Sequence, residues 1–336
     1  MESVDIANDN RRVENTDNDI CLYYFEHSSP SRKVLIALHE KNVEFRKIRI
    51  DLLKKEQHER WYLEKINPRG EVPVLKHGDK LIVESSSIMQ YIDENLGNTR
   101  NQLYPVGQQV GSKVSDYVKL FDSIPTFPLT YGAVVFHTEK VTSILRWPYC
   151  SEDIRESFRQ FIYDASANLR IRANEMTDLP SGKILAEKAD AFDKQIKPVF
   201  DNFCMYLSLL NHVGEILDKV EIELSKEDRL GPWLCGPGYT AADISFTCLL
   251  LRLYQIGLDE QMWKEGTRPN ISVYQDMAFR RNSVKIASDW EANKNKYLTI
   301  KKSDSDESGQ VQAAYWGMAA AVVLGSIYIY KKIKKQ

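Results

Sequence analysis

Cysteine is sparse in this 336-residue chain, and net charge is nearly absent. The five cysteines, Cys21, Cys150, Cys204, Cys235 and Cys248, form no C-x-x-C pair and no His/Cys ligand spacing, which argues against a disulfide framework and a zinc site. Buried reduced thiols are the expectation, with an intermolecular disulfide through Cys150 as the alternative. Lysine and arginine (45) almost balance aspartate and glutamate (47), so at a formal net charge of −2 no electrostatic footprint for nucleic acid exists. Residues 1–20 lack the apolar core of a secretory signal and the basic, acid-poor character of a transit peptide; they read as a disordered leader. Long apolar runs are missing too, with one exception.

That exception, Ala313–Tyr330, is an uncharged 18-residue segment bordered at once by Lys331, Lys332, Lys334 and Lys335. As a helix it spans roughly 27 Å, close to the roughly 30 Å of bilayer hydrocarbon. Tyr315, Trp316, Tyr328 and Tyr330 stand at its two ends, where amphipathic rings prefer the headgroup level. A helix satisfies its own backbone groups in lipid, so the segment reads as a transmembrane tail anchor and residues 331–336 as a basic tail. So few residues follow the segment that insertion is expected after translation, with the bulk of the chain in the cytosol. The basic tail points to the mitochondrial outer membrane, with the endoplasmic reticulum and the peroxisome as alternatives. The short span suits a thin bilayer.

From Cys21 to about Gly97 the hydrophobic pattern predicts a βαβαββα order. Strands are expected at Cys21–Phe25, Phe45–Ile50, residues 71–75 and Leu81–Val83, and helices at Ser31–Lys41, within residues 55–65 and at Ser86–Leu96. This is a thioredoxin-like layout, opening on a right-handed βαβ unit. Pro73 would break a central ladder, so an edge position or a cis Val72-Pro73 bond is expected.

Three motifs in this region, Ser28-Ser29-Pro30-Ser31-Arg32, Asn67-Pro68-Arg69-Gly70-Glu71-Val72-Pro73-Val74-Leu75 and Glu84-Ser85-Ser86-Ser87-Ile88, resemble the N-terminal domain of glutathione transferases. The resemblance implies a glutathione site. Ser28 takes the place of the thiolate-stabilising serine, Glu84 and Ser85 receive the γ-glutamyl end, the Val72 backbone beside Pro73 pairs with the cysteinyl moiety, and His58 meets the glycine carboxylate. Holding a thiol of pKa roughly 8.5 as thiolate at neutral pH takes about 2.7 kcal/mol for two units. A hydroxyl donor at a helix N-terminus supplies stabilisation of this kind. Ser28 also suits a plain N-cap role, and a histidine such as His58 suits a plain solvated one. No metal is implied.

Beyond Gly97 the pattern becomes helical to about residue 300. Thr240-Ala241-Ala242-Asp243 reads as a capping box, with Tyr239 and Ile244 as its hydrophobic staple. An apolar seam from Phe192 to Leu224 predicts one long helix kinked near Pro198, a candidate dimer or partner surface. Extra sequence lies at about 131–190, and 301–312 is a polar linker. With Tyr131-Gly132-Ala133-Val134-Val135-Phe136-His137, Pro232-Trp233-Leu234-Cys235-Gly236 and Gly266-Thr267-Arg268-Pro269-Asn270, the chain resembles the ganglioside-induced differentiation-associated protein 1 family. That resemblance implies a cytosol-facing mitochondrial outer-membrane protein acting in fission and network shape. It also implies cytoskeletal or fission-machinery partners and a transferase fold with weak or absent turnover; the seam makes a homodimer the expectation. An active theta-like transferase working on hydrophobic electrophiles is the alternative.

Overall fold

The computed structural model describes residues 19–52, 54–98, 101–136, 152–264 and 266–288. The leader (apart from its last two residues), the part of the insertion holding His137 and Cys150, the linker, the anchor and the basic tail lie outside the described residues. No helix among those described is long and apolar enough to cross a membrane.

Four strands, β1 (Ile20–Tyr24), β2 (Arg46–Arg49), β3 (Val74–His77) and β4 (Lys80–Val83), form one sheet in the order β2-β1-β3-β4. β2 runs parallel to β1, as the βαβ opening requires, while β3 is antiparallel to both β1 and β4. The layout is thioredoxin-like. The Val72-Pro73 bond is cis, and Pro73 precedes β3, so this interior strand keeps its ladder.

Helix α1 (Ser29–Glu40) starts where Ser28 caps it, the Ser28 Oγ accepting from the Ser31 amide at 3.3 Å, with Pro30 in the first turn. Val34, Leu35, Ile36, Ala37 and Leu38 are all buried, because α1 packs on α3 (Ser85–Asn95) and also on α10 (Ala241–Gln255) and α12 (Asn282–Ser288) of the helical part. Burying each such large side chain contributes about 1.5–3 kcal/mol. At the other end of α1, the Lys41 ammonium meets Asp93 at 2.8 Å and the Asn101 carbonyl at 3.0 Å. Asp93 also accepts from the Leu103 and Tyr104 amides, fixing the passage into the helical part.

The helix predicted within residues 55–65 is instead two pieces, a 3-10 turn at Glu56–His58 and α2 (Arg60–Lys65). Lys55 in the left-handed region and Glu59 in an extended one interrupt it.

Helices α4 (Gln108–Asp122), α5 (Thr126–Val135), α6 (Glu152–Glu175) and α7 (Pro180–Ala191) follow, then α8 (Lys197–Asp201), α9 (Phe203–Leu224), α10, α11 (Pro269–Phe279) and α12. The single long helix expected through Phe192–Leu224 is a misreading. Pro198 removes one helical amide, and the chain widens to a π turn at Phe192–Ile196 before α8. Asn202 then goes extended and caps α9, accepting from the Cys204 amide at 2.9 Å. Most of the seam is interior: Leu210, Val213, Leu217, Val220 and Leu224 are buried within the chain, whereas Phe203 and Leu207 stay exposed. Most of the seam is therefore core packing.

The box at α10 is present as read. Asp243, fully buried, accepts from the Leu234 and Thr240 amides at 2.9 Å each, and from the Thr240 and Tyr274 hydroxyls at 2.8 Å each. Burial pushes its pKa up despite these four donors.

Candidate active site

The register of the sheet gathers the site at one edge. Val74 of β3 pairs with Val83 of β4 and with Tyr23 of β1, so the start of β3 and the ends of β1 and β4 share one side. Val72 and Pro73 enter β3 there, Glu84 and Ser85 leave β4 there, and Ser28 follows β1 there. Five of the six expected residues therefore lie at one end of the sheet.

Ser28 is 7% exposed and caps α1. Its oxygen accepts from the Ser31 amide, which leaves its hydroxyl proton free to donate to a sulfur at the positive end of α1. Ser29 is held from behind, its Oγ accepting from Arg252 Nε at 3.3 Å and Nη2 at 3.1 Å. The same guanidinium donates to the His27 carbonyl at 2.7 Å. Burial, then the charges of Arg32, Arg252 and Arg49, depress the His27 pKa to about 3, so this ring is neutral and the charge beside Ser28 is carried by arginines.

Glu84 is the N-cap residue of α3 with φ +67°, a left-handed value that a non-glycine residue pays for in backbone energy, of order 1–3 kcal/mol. Its side chain makes no capping bond to α3. Ser85 opens the helix, and both residues are half-buried. Next to it, Ser86 donates to Asp122 at 3.1 Å while Lys33 pairs with the same carboxylate, anchoring α3 to α4.

His58 departs from expectation. It is 6% exposed, so it is neither a solvated histidine nor an open receptor. Its Nε2, together with Gln57 Nε2 and Oε1, has no hydrogen-bond partner. Burial, then the charges of Lys188, Arg172 and Lys55, lower its pKa to about 3. The Gly70 turn lies against its ring, and α7 reaches that turn. Lys188, on α7 and 5% exposed, donates to the Arg69 carbonyl at 2.6 Å and pairs with the Glu71 carboxylate, the residue just before Val72. On the rim Arg60 makes a two-pronged bridge to Asp178 at 2.7 and 2.8 Å.

Lys188, Glu71 and Arg252 were not singled out in the sequence. Arg252 left a trace, a charge inside an otherwise apolar helix, whereas Lys188 meets Glu71 across 117 positions and left none. Among the described residues no cluster fit to hold a metal ion is present.

Residues 22–100 match the glutathione S-transferase N-terminal domain model. Protein LigF of Sphingobium sp. is 42% identical over 84 residues, which are 25% of this chain and 32% of that protein. Its β-etherase crystal structure superposes with a TM-score of 0.55 at 24% identity, covering 80% of this chain and 98% of that one. A Methylobacillus flagellatus glutathione S-transferase solved with GSH bound gives a TM-score of 0.50 at 17% identity, over 80% and 99% of the two chains. At these identities the superpositions speak for the fold. Human ganglioside-induced differentiation-associated protein 1-like 1 is 27% identical over 270 residues, 78% of this chain and 71% of that protein. The chain therefore carries a glutathione S-transferase N-terminal domain at residues 22–100 and resembles ganglioside-induced differentiation-associated protein 1-like proteins over most of its length.

Proposed function

We propose that the chain is a transferase-fold body tethered by residues 313–330 to the cytosolic face of the mitochondrial outer membrane, where it acts on fission and network shape with glutathione as a ligand. One observation carries this reading. Similarity to the ganglioside-induced differentiation-associated protein 1-like protein runs through 78% of the chain, whereas the match to LigF covers 25%, so the helical part follows the former pattern. The apolar segment with its lysine border supports the tether, and glutathione bound to the structural neighbour supports the ligand. A second copy of the chain and cytoskeletal or fission-machinery proteins are the partners of the same reading. Imaging a reporter fused to residues 301–336 tests the address: a mitochondrial outline is expected, and a reticular pattern refutes it. Removing residues 313–336 is expected to release the protein and abolish its effect on mitochondrial shape.

The Ser28 hydroxyl at the start of α1 favours a second reading, an active transferase. Turnover of an aryl halide with glutathione, abolished by Ser28→Ala, would establish it. Glutathione binding without turnover leaves the tethered-adaptor reading in place.

A further inference from the structure

We propose that Arg252, reaching from α10 of the helical part, is a positioning residue for Ser28: it clamps the loop on both sides of that hydroxyl and supplies the positive charge that an ionised thiol there balances. The inference rests on reading this edge of the sheet as a glutathione site, and it names a group outside the matched N-terminal domain on which that site depends.

Two observations meet at this loop. The first is the clamp. Arg252 Nη2 donates to the His27 carbonyl at 2.7 Å and to Ser29 Oγ at 3.1 Å, and Nε donates to Ser29 Oγ at 3.3 Å. One guanidinium therefore spans the residues before and after Ser28. Further along the same helix, Gln255 accepts from Arg32 Nη1 at 3.1 Å, while Arg32 Nε donates to the Glu26 carbonyl at 3.0 Å. The end of α10 thus fixes residues 26–29 from behind.

The second is a charge without its opposite. Arg252 is 3% exposed and both groups that accept from it are neutral; among the described residues no carboxylate pairs with it. Taking a cation out of water is costly unless an anion compensates it. The other ionisable groups round the loop are already settled. Arg49 of β2 pairs with Glu26 at 2.9 Å and with Asp51 at 3.0 Å, and Lys33 of α1 pairs with Asp122 of α4. Burial pushes the Cys248 thiol of α10 up to about 11, so it stays protonated. Glu84, at the start of α3, acts on Lys188. The charge of Arg252 does reach the loop, being among those that hold His27 neutral.

An anion at Ser28 would therefore meet the hydroxyl, the N-terminus of α1 and the charge of Arg252 together. A thiol supplies that anion by releasing its proton to solvent, and the Ser28 hydroxyl donates to the sulfur left behind.

The ultraviolet absorbance of the thiolate of bound glutathione, followed against pH on the full-length chain in detergent, reads this effect without turnover. Arg252→Gln keeps a donor for the loop and removes the charge. It is expected to raise the pH of half-ionisation by about one to two, within the range an adjacent opposite charge produces. Arg252→Lys, which keeps a cation there, is expected to raise it by less than half as much. A Gln variant that ionises bound glutathione at the wild-type pH overturns the role of Arg252 and leaves the site standing, and a Lys variant that ionises it as poorly as the Gln variant overturns the part played by charge. On the wild type alone, glutathione is expected to gain affinity over S-methylglutathione, which cannot ionise, as pH rises from about 6.5 toward 8.5. A constant ratio overturns the preference for an anion, whichever variants fold. If calorimetric titration finds no glutathione binding to the wild type at all, the site itself is overturned and the role of Arg252 with it.

Discussion

At the scale of single residues, burial without a partner sets the chemistry. His58 ionises near pH 6.5 in an unfolded chain but near 3 here, so the unfolded state binds the extra proton throughout that window. The stability that a neutral His58 permits is complete above about pH 6.5 and is lost as pH falls toward 3, at up to about 1.4 kcal/mol per pH unit. Urea midpoints measured between pH 7.5 and 5 should fall with a slope that His58→Gln makes shallower; an unaltered slope would assign the loss to other groups. Asp243 makes the opposite point, since its four donors all depend on one carboxylate. Asp243→Ala orphans the Leu234 and Thr240 amides, and is expected to cost about 3–5 kcal/mol in chemical denaturation. The Asp243 box was legible in the sequence, being local and regular. The burial of His58 was not, because it depends on how the chain folds back at Gly70 and not on a local pattern.

At the scale of elements, local periodicity explains both a success and a failure of sequence reading. The order β1-α1-β2-α2-β3-β4-α3 follows from alternation in the strands, threes and fours in the helices, and punctuation by Ser28, Pro30, Pro73 and Gly78. Between Phe192 and Leu224 the same threes and fours continue across Asn202, where the backbone is extended, so periodicity alone joined what a cap divides. The crossing of α5 and α9 depends on Gly132: an added Cβ would sit 2.3 Å from the Tyr206 ring, and Tyr206 donates to the Leu129 carbonyl at 3.2 Å. The ring is fully buried and cannot yield. Gly132→Ala is expected to lower stability by about 1–3 kcal/mol, the usual cost of overpacking, with Tyr206→Leu in the same chain recovering part of it. Thermal melts of the wild type and the two variants decide; a neutral Gly132→Ala would mean that α5 slides without penalty.

At the scale of the whole molecule, the two parts are joined by buried charges. Lys41 and Asp93, whose side chains are 1% and 7% exposed, tie the end of α1 to α3 and to the first residues of the helical part. Lys41→Met leaves the Asp93 carboxylate buried with two amides and no cation, at an expected cost of about 3–5 kcal/mol. Exposed Arg60 and Asp178 form a comparable pair by distance, but removing it should cost under about 1 kcal/mol. Comparing Lys41→Met with Arg60→Ala by urea unfolding tests whether burial or geometry governs. None of these long-range pairs was legible beforehand, since partners separated by dozens of positions carry no mark of one another in composition or spacing.

The last described helix returns to the first domain. Arg281 bridges to Glu40 at the end of α1 at 2.7 Å, and Ser283 donates to the same carboxylate. Whatever pulls on the protein through its final residues therefore hauls first on Glu40 and on the seam between the two halves.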